Sequence, residues 1–453
     1  MLDPEVTPQQ PDTYRPTESL GHSIDWELIA ANESPAIAPP SARGKNYLIR
    51  LSNRSERFAA ALTIASVVLG PAIDHADINL RLLAASAKAI VDPTEQISEH
   101  GSTSGAAIQN MEDTYGLGGG FYKKDPGPSP SGIADMWTVY QIGNAYLLRS
   151  LLPGAKDSAN QPLAQTVQAA SNYWGTSPQG AAAGYDPTIN TIWNTKPQER
   201  FVDDNLWMSE LLMHLYASTG DKTYLERATQ IQTMAMSQWK KDGGGIYWME
   251  QLPGEANHDR ALVSNAPMVT LSAMLYLNSC RQVCNPKYLE DAKNVFAWIQ
   301  QNLYDPATGL FFDHLEGNGE ISKAFYTYGQ GAVINAILSL HAIAPEEYPL
   351  QMAVNLANNS MKYFLNTGGY GIAKFDNLFG VSLMELASQY NDPAFTEKVM
   401  ITRAKIKAAM PDKPISPISS AAAVSVLSLN ELPFERWSRL GALGTINLLI
   451  TNS

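Results

Sequence analysis

Apolar residues recur every three to four positions through most of this chain, the spacing of helices that bury one face. The pattern holds over residues 78–91, 136–152, 163–173, 206–218, 224–239, 269–277, 288–303, 332–343, 352–364, 378–390, 395–409 and 421–427. Strict two-residue alternation is nearly absent, which excludes a large sheet. The links between segments are short and carry helix-ending and helix-starting chemistry. Gly220 is placed to end one helix in a left-handed cap, and Asp221 to cap the next. Asn391-Asp392-Pro393 and Asn285-Pro286 punctuate two later links in the same way. Short links force successive helices antiparallel, and hairpins with a period near sixty residues predict an all-α fold, an (α/α)6 barrel of six helical hairpins. No boundary interrupts residues 77–453, which are expected to form one domain of catalytic size.

Residues 1–76 break the pattern. The first fifty or so are rich in Pro, Ser, Glu and Asn and read as a disordered extension. Within it Arg50, Arg54 and Arg57 precede an apolar run from Phe58 to Gly70, closed by Pro71. A displaced signal segment at 58–73, a short signal anchor and a buried helix all fit that run, which is short for a span of about 20 residues. A membrane enters the picture only if 58–73 acts as an anchor; a secreted or cell-surface protein is expected. Of the 453 residues, 45% are hydrophobic and only 17% charged, ample for a large core. A net charge of −12 with no basic run excludes a nucleic-acid partner, which needs clustered Lys and Arg. An acidic chain with 9% aromatic residues suits a neutral polysaccharide or glycoside, and a monomer is expected. Cys280 and Cys284, four apart, fit either a disulfide or two buried thiols; no second pair completes a metal site.

The candidate chemistry lies just ahead of, or at the start of, the apolar helices. Phe201-Val202-Asp203-Asp204-Asn205-Leu206-Trp207 sets two carboxylates side by side. One Asp serves as a helix cap, so the bland reading explains only half of the pair. Two carboxyls are also the minimal set for breaking a glycosidic bond. Mutual repulsion would raise one pKa and keep that group protonated as the acid while the other attacks. About forty residues on, Asp242-Gly243-Gly244-Gly245-Ile246-Tyr247-Trp248 is a glycine turn ending in two aromatics. It is either a mobile turn or bare backbone that lets a sugar approach. Trp207 and Trp248 fit core and sugar-stacking roles equally well. Ser264-Asn265 and Thr327-Tyr328-Gly329-Gln330-Gly331 precede two further apolar runs, with Gln330 placed to hydrogen-bond substrate hydroxyls. Glu210, two turns beyond the acid pair, reads as a solvated or supporting residue.

These elements, in this order and spacing, resemble glycoside hydrolase family 76, the endo-α-1,6-mannanases and their fungal cell-wall relatives. The resemblance rests on Val202 to Trp207, Gly243 to Trp248, Ser264-Asn265 and Thr327 to Gly331. It implies an (α/α)6 barrel and retaining hydrolysis of α-1,6-linked mannan, with neither metal nor cofactor. Asp203 would be the nucleophile and Asp204 the general acid/base; Trp137, Trp207, Tyr247, Trp248, Asn265, Tyr328 and Gln330 would line the sugar subsites. Departures from the family pattern are Arg260-Ala261 where Lys-Asn is usual, Gly329 where Asn is common, and Trp137 alone of a Trp-Trp pair. Two alternatives share the cleft: a cell-wall transglycosylase using the same intermediate, and a non-catalytic carbohydrate-binding pseudo-enzyme, which would need neither carboxylate.

Overall fold

The computed structural model describes residues 103–126, 132–175, 183–189, 200–251, 257–411 and 414–439. The chain divides into two units, 1–91 and 92–453, and every described residue belongs to the second. The extension 1–76, its signal-like segment 58–73 and the helix expected at 78–91 lie outside the described residues.

Six helices form an inner ring: α2 (Met136–Ser150), α4 (Val202–Thr219), α6 (Leu262–Ser279), α8 (Thr327–Ile343), α10 (Ala373–Tyr390) and α12 (Pro417–Glu431). Each packs against the next, and α12 packs back on α2, so the ring closes. Outside it lie α3 (Lys156–Ala170), α5 (Lys222–Ser237), α7 (Pro286–Leu303), α9 (Leu350–Thr367) and α11 (Pro393–Ala408). The sixth outer helix is α1 (Thr103–Tyr115), which packs on α12. Its sequence is short on large apolar residues; it buries little more than Ile108, Met111 and Tyr115, so no strong periodicity marks it. A short α13 (Phe434–Arg439) follows. This is the six-hairpin helical barrel that the periodicity predicts.

The links act as expected. Gly220 caps α4 at φ 75°, and the Asp221 side chain accepts from Thr223 N to start α5. Asn391 takes the left-handed conformation after α10, and Asp392 caps α11. Cys280 and Cys284 form a disulfide just beyond α6. Strand structure among the described residues is confined to pieces of two or three residues, β1 (Gly116–Gly118), β2 (Phe121–Tyr122), β3 (Trp174–Gly175), β4 (Gly184–Tyr185), β5 (Arg260–Ala261), β6 (Tyr304–Asp305), β7 (Leu310–Phe311), β8 (His314–Leu315) and β9 (Ile321–Ser322). They pair antiparallel, and β5 runs straight into α6. Because inner helices run parallel, their N-termini and these small strands gather at one mouth of the barrel.

Candidate active site

The inner helices begin earlier than their apolar stripes, because polar residues fill their first turns. Asp203 and Asp204 therefore sit inside the first turn of α4, at its second and third positions, rather than in the preceding loop. Phe201 occupies the N-cap position without a side-chain cap bond; the Asp203 carboxylate instead accepts from backbone N–H groups of this turn, and Asp204 takes no such part, so the bland reading still explains only half of the pair. Successive helical residues project about 100° apart, which aims the two carboxyls from one turn in different directions.

A second segment fixes the pair. Val202 N donates to Trp248 O at 2.9 Å and Glu250 N to Arg200 O at 2.9 Å, tying 200–202 to 248–250 as a short antiparallel bridge. Beneath it the Arg200 guanidinium forks onto Glu250, Nε to Oε2 at 2.9 Å and Nη2 to Oε1 at 2.7 Å, with both side chains buried. The bridge places the Trp248 ring 5.1 Å from Phe201 and sets its indole N–H to donate to Asp203. Asp203 Oδ1 is shielded from solvent and makes no hydrogen bond. One carboxylate oxygen is thus held by the indole and the other is left without a hydrogen-bond donor.

The electrostatics are lopsided. Burial pushes the Asp203 carboxyl up to about 7, opposed by the Trp248 donor and by backbone N–H groups of the first turn; Asp313 adds a smaller upward push. Burial raises Asp204 well above the usual range, and neighbouring Asp203 and then Asp135 raise it further, with no donor to counter them. Asp204 is the member that keeps its proton, and Asp203 the one that ionises first.

Around the pair stand part-exposed aromatics. Trp137 is the second residue of α2 and Tyr328 the second of α8, both at the position that Asp203 holds in α4. Tyr328 stacks on Phe375 of α10 at 4.0 Å with planes 8° apart. Tyr247 lies 6.0 Å from His258. The mouth thus brings together Asp203, Asp204, Trp137, Trp248 and Tyr328, while the Tyr247 ring lies against His258. It also contains residues the sequence did not single out: Phe375, the cap residue Asp135, and Asp313, which pairs with His314 at 2.8 Å and acts on both Asp203 and Tyr328. No motif marks Asp313; only its place beside β8 brings it to the mouth.

Three expected subsite residues are elsewhere. Asn265 and Gln330 are fully buried, and their amides are spent on backbone. Asn265 Oδ1 accepts from Ile246 N at 2.8 Å, while Nδ2 donates to Ile246 O at 3.1 Å and Ala261 O at 2.7 Å. Gln330 Oε1 accepts from Phe311 N at 3.0 Å and Nε2 donates to Phe311 O at 2.7 Å. Side chains fully buried and tied to backbone through both amide atoms are out of reach of a sugar hydroxyl. Asn205 does the same to Tyr185, at 2.6 and 2.9 Å. All three occupy the fourth position of an inner helix and dock a strand or turn onto it. Trp207 is 2% exposed and packs against Tyr140 and Trp137 at 5.8 and 6.1 Å, forming a floor below the mouth rather than an open wall.

The glycine turn is also structural. Gly243, Gly244 and Gly245 all have positive φ, and a Cβ on Gly245 would come within 2.4 Å of the Trp298 ring of α7. Trp298 Nε1 donates to Gly243 O at 2.9 Å, and Arg260 Nη1 donates to Gly244 O at 2.8 Å. The bare backbone lies against Trp298, not against a ligand; its effect is to aim Tyr247 and Trp248. Among the described residues no group of three His, Cys, Asp or Glu could hold a metal ion.

The model of a family described as glycosyl hydrolase family 76 matches residues 115–393, more than half of the 453. None of the curated proteins matches this chain. Solved structures share the fold at low identity. A GH76 alpha-mannanase of Bacteroides thetaiotaomicron matches with a TM-score of 0.64 at 17% identity, covering 74% of this chain and 95% of its own. A Salegentibacter alpha-1,6-mannanase, inactivated at two consecutive aspartates and in complex with alpha-1,6-mannotetrose, gives 0.56 at 18% identity, covering 73% and 99%. Dfg5 of Chaetomium thermophilum in complex with glucosamine gives 0.57 at 14% identity, covering 75% and 91%.

Proposed function

The chain belongs to glycosyl hydrolase family 76, and from that premise we propose a retaining glycosidase that cleaves α-1,6-mannosidic linkages. The observation that carries this reading is the unequal environment of two adjacent carboxyls in one first turn, one held by an indole N–H and one unsupported. In the first step a carboxylate oxygen of Asp203 bonds to the anomeric carbon. The bond from that carbon to the glycosidic oxygen breaks, and Asp204 gives its proton to the departing oxygen. In the second, Asp204, now a carboxylate, takes a proton from water; the water oxygen bonds to the anomeric carbon and the ester to Asp203 breaks. Trp137, Tyr247, Trp248 and Tyr328 supply ring faces for the sugars. Asp313, an acceptor at the mouth, fits a pair of substrate hydroxyls.

The mannan preference draws on the Salegentibacter relative and its alpha-1,6-mannotetrose, carried here as part of the proposal. A secreted or surface location draws support from the Cys280–Cys284 disulfide, since such bonds persist in oxidising compartments. The test is incubation with α-1,6-mannan and a panel of aryl glycosides, comparing the native protein with Asp203→Asn and Asp204→Asn. Shortened oligosaccharides that disappear in both variants support hydrolysis. New, longer products indicate transfer to a sugar acceptor, and binding without any product change indicates a lectin-like protein.

A further inference from the structure

Below the floor made by Trp137, Tyr140 and Trp207 the barrel axis is not filled. A chamber of about 100 Å3 runs between α2, α4, α6, α8 and α10. It starts at Trp207, one turn inside α4, and reaches Gln389 in the last turn of α10, towards the end of the barrel away from the mouth. Glu210, Asn335 and Val381 are part-exposed in mid-helix, although their helical neighbours are mostly buried, so the space beside them is wide enough for water.

The lining is not what a filler cavity would have. Four of its polar atoms have no hydrogen-bond partner among the described residues: Asn144 Nδ2, Trp207 Nε1, Thr270 Oγ1 and Glu385 Oε2. Their residues are 6%, 2%, 3% and 8% exposed. Buried polar groups are normally satisfied, and a polar cavity of this size is occupied rather than dry. Two carboxyls face it, Glu210 and Glu385. Glu385 Oε1 accepts from Gln389 Nε2 at 2.9 Å, and its other oxygen is the unpartnered one. Among the described residues no Lys or Arg lines the chamber; its other titratable groups are Tyr140 and His214. Burial pushes Glu210 and Glu385 up to about 8, opposed at Glu385 by the Gln389 donor. A buried carboxyl without a protein cation either holds its proton or takes a counter-ion from solution.

We propose that this axial chamber is a binding site for one small monovalent cation of the potassium or ammonium type, held by Glu385 and Glu210 with neutral oxygens from Thr270 and Asn335. Accompanying water meets the Asn144 and Trp207 donors. Calcium, which takes about six to eight oxygen ligands, is a poor fit for this donor set. Entry of the cation releases a proton from Glu385 to solvent, so binding strengthens as pH rises. The site does not depend on the sugar chemistry at the mouth.

The test is thermal unfolding of the full chain at about pH 8.5 and about pH 6, in potassium, ammonium, sodium or choline chloride at equal ionic strength. Potassium or ammonium is expected to raise Tm over choline by about 2 °C or more at the higher pH, with little effect at the lower. Glu385→Gln should abolish the difference without lowering Tm in choline, since it removes an unpaired buried acid while keeping its shape. Glu210→Gln serves the same purpose should the first variant fail to fold. Equal Tm in all four salts, or a cation effect that persists in the Gln variants, overturns the proposal and leaves the chamber to water.

Discussion

The first turns of α4, α6 and α8 make a controlled comparison, since each ends in a buried amide clamp at its fourth position. Asn205, Asn265 and Gln330 fasten Tyr185, Ile246 and Phe311 through both backbone groups. The positions just before the clamp differ. They hold Asp203-Asp204 in α4, Val263-Ser264 in α6 and Tyr328-Gly329 in α8. One scaffold therefore carries three different residue pairs ahead of the clamp, and only one is acidic. The lesson is that place within the turn, not polarity, separates chemistry from carpentry.

Substitution at each position tests that division. Asp203→Asn is expected to have the largest effect, a loss of about 10^4-fold or more in kcat on mannan, with Tm unchanged or raised because a buried charge conflict is relieved. Asp204→Asn should cost about 10^2- to 10^4-fold on mannan but much less on an aryl mannoside whose leaving group needs no proton. Equal losses on both substrates would remove the acid role. Asn265→Ala and Gln330→Ala should behave oppositely. Each strands a backbone N–H and C=O in the interior, a cost of about 2 kcal/mol, so Tm should fall by about 4 °C or more while KM of the folded enzyme stays put. A raised KM at unchanged Tm would restore the subsite reading for these two residues.

The smallest expected effect concerns pH. Activity requires Asp203 ionised and Asp204 protonated, so kcat/KM should climb as pH rises towards about 7 and fall again on the alkaline side, the limbs belonging to the pair. Trp248→Phe removes the donor that favours ionised Asp203. Its pKa then rises, and the acid limb should move to higher pH by about one unit or less. An unmoved limb would mean that the indole does not set the nucleophile's charge.

The fold was legible because burial imposes period and because Gly220, Asp221 and Asn391 announce their links chemically. Helix α1 was not, since it needs few large residues to close the outer ring. The acid pair was legible because two adjacent carboxylates lack a packing reason. Asn265 and Gln330 misled for a related cause: a polar residue between small ones looks unemployed until the backbone it serves is folded beside it. Asp313 and Phe375 were invisible, because only the closed ring brings Asp313 towards Asp203 and Phe375 onto Tyr328. The glycine run was read from its neighbours in sequence, whereas its partner, Trp298, lies on another hairpin.

Both carboxyls acting in turn on one anomeric carbon is the claim from which the rest follows. Proton NMR of the reducing end released in the first moments of turnover on α-1,6-mannan tests it most directly. Two successive inversions predict that the α-anomer appears first and relaxes later to the mixture; initial release of the β-anomer would mean a single displacement by water and would contradict the role assigned to Asp203.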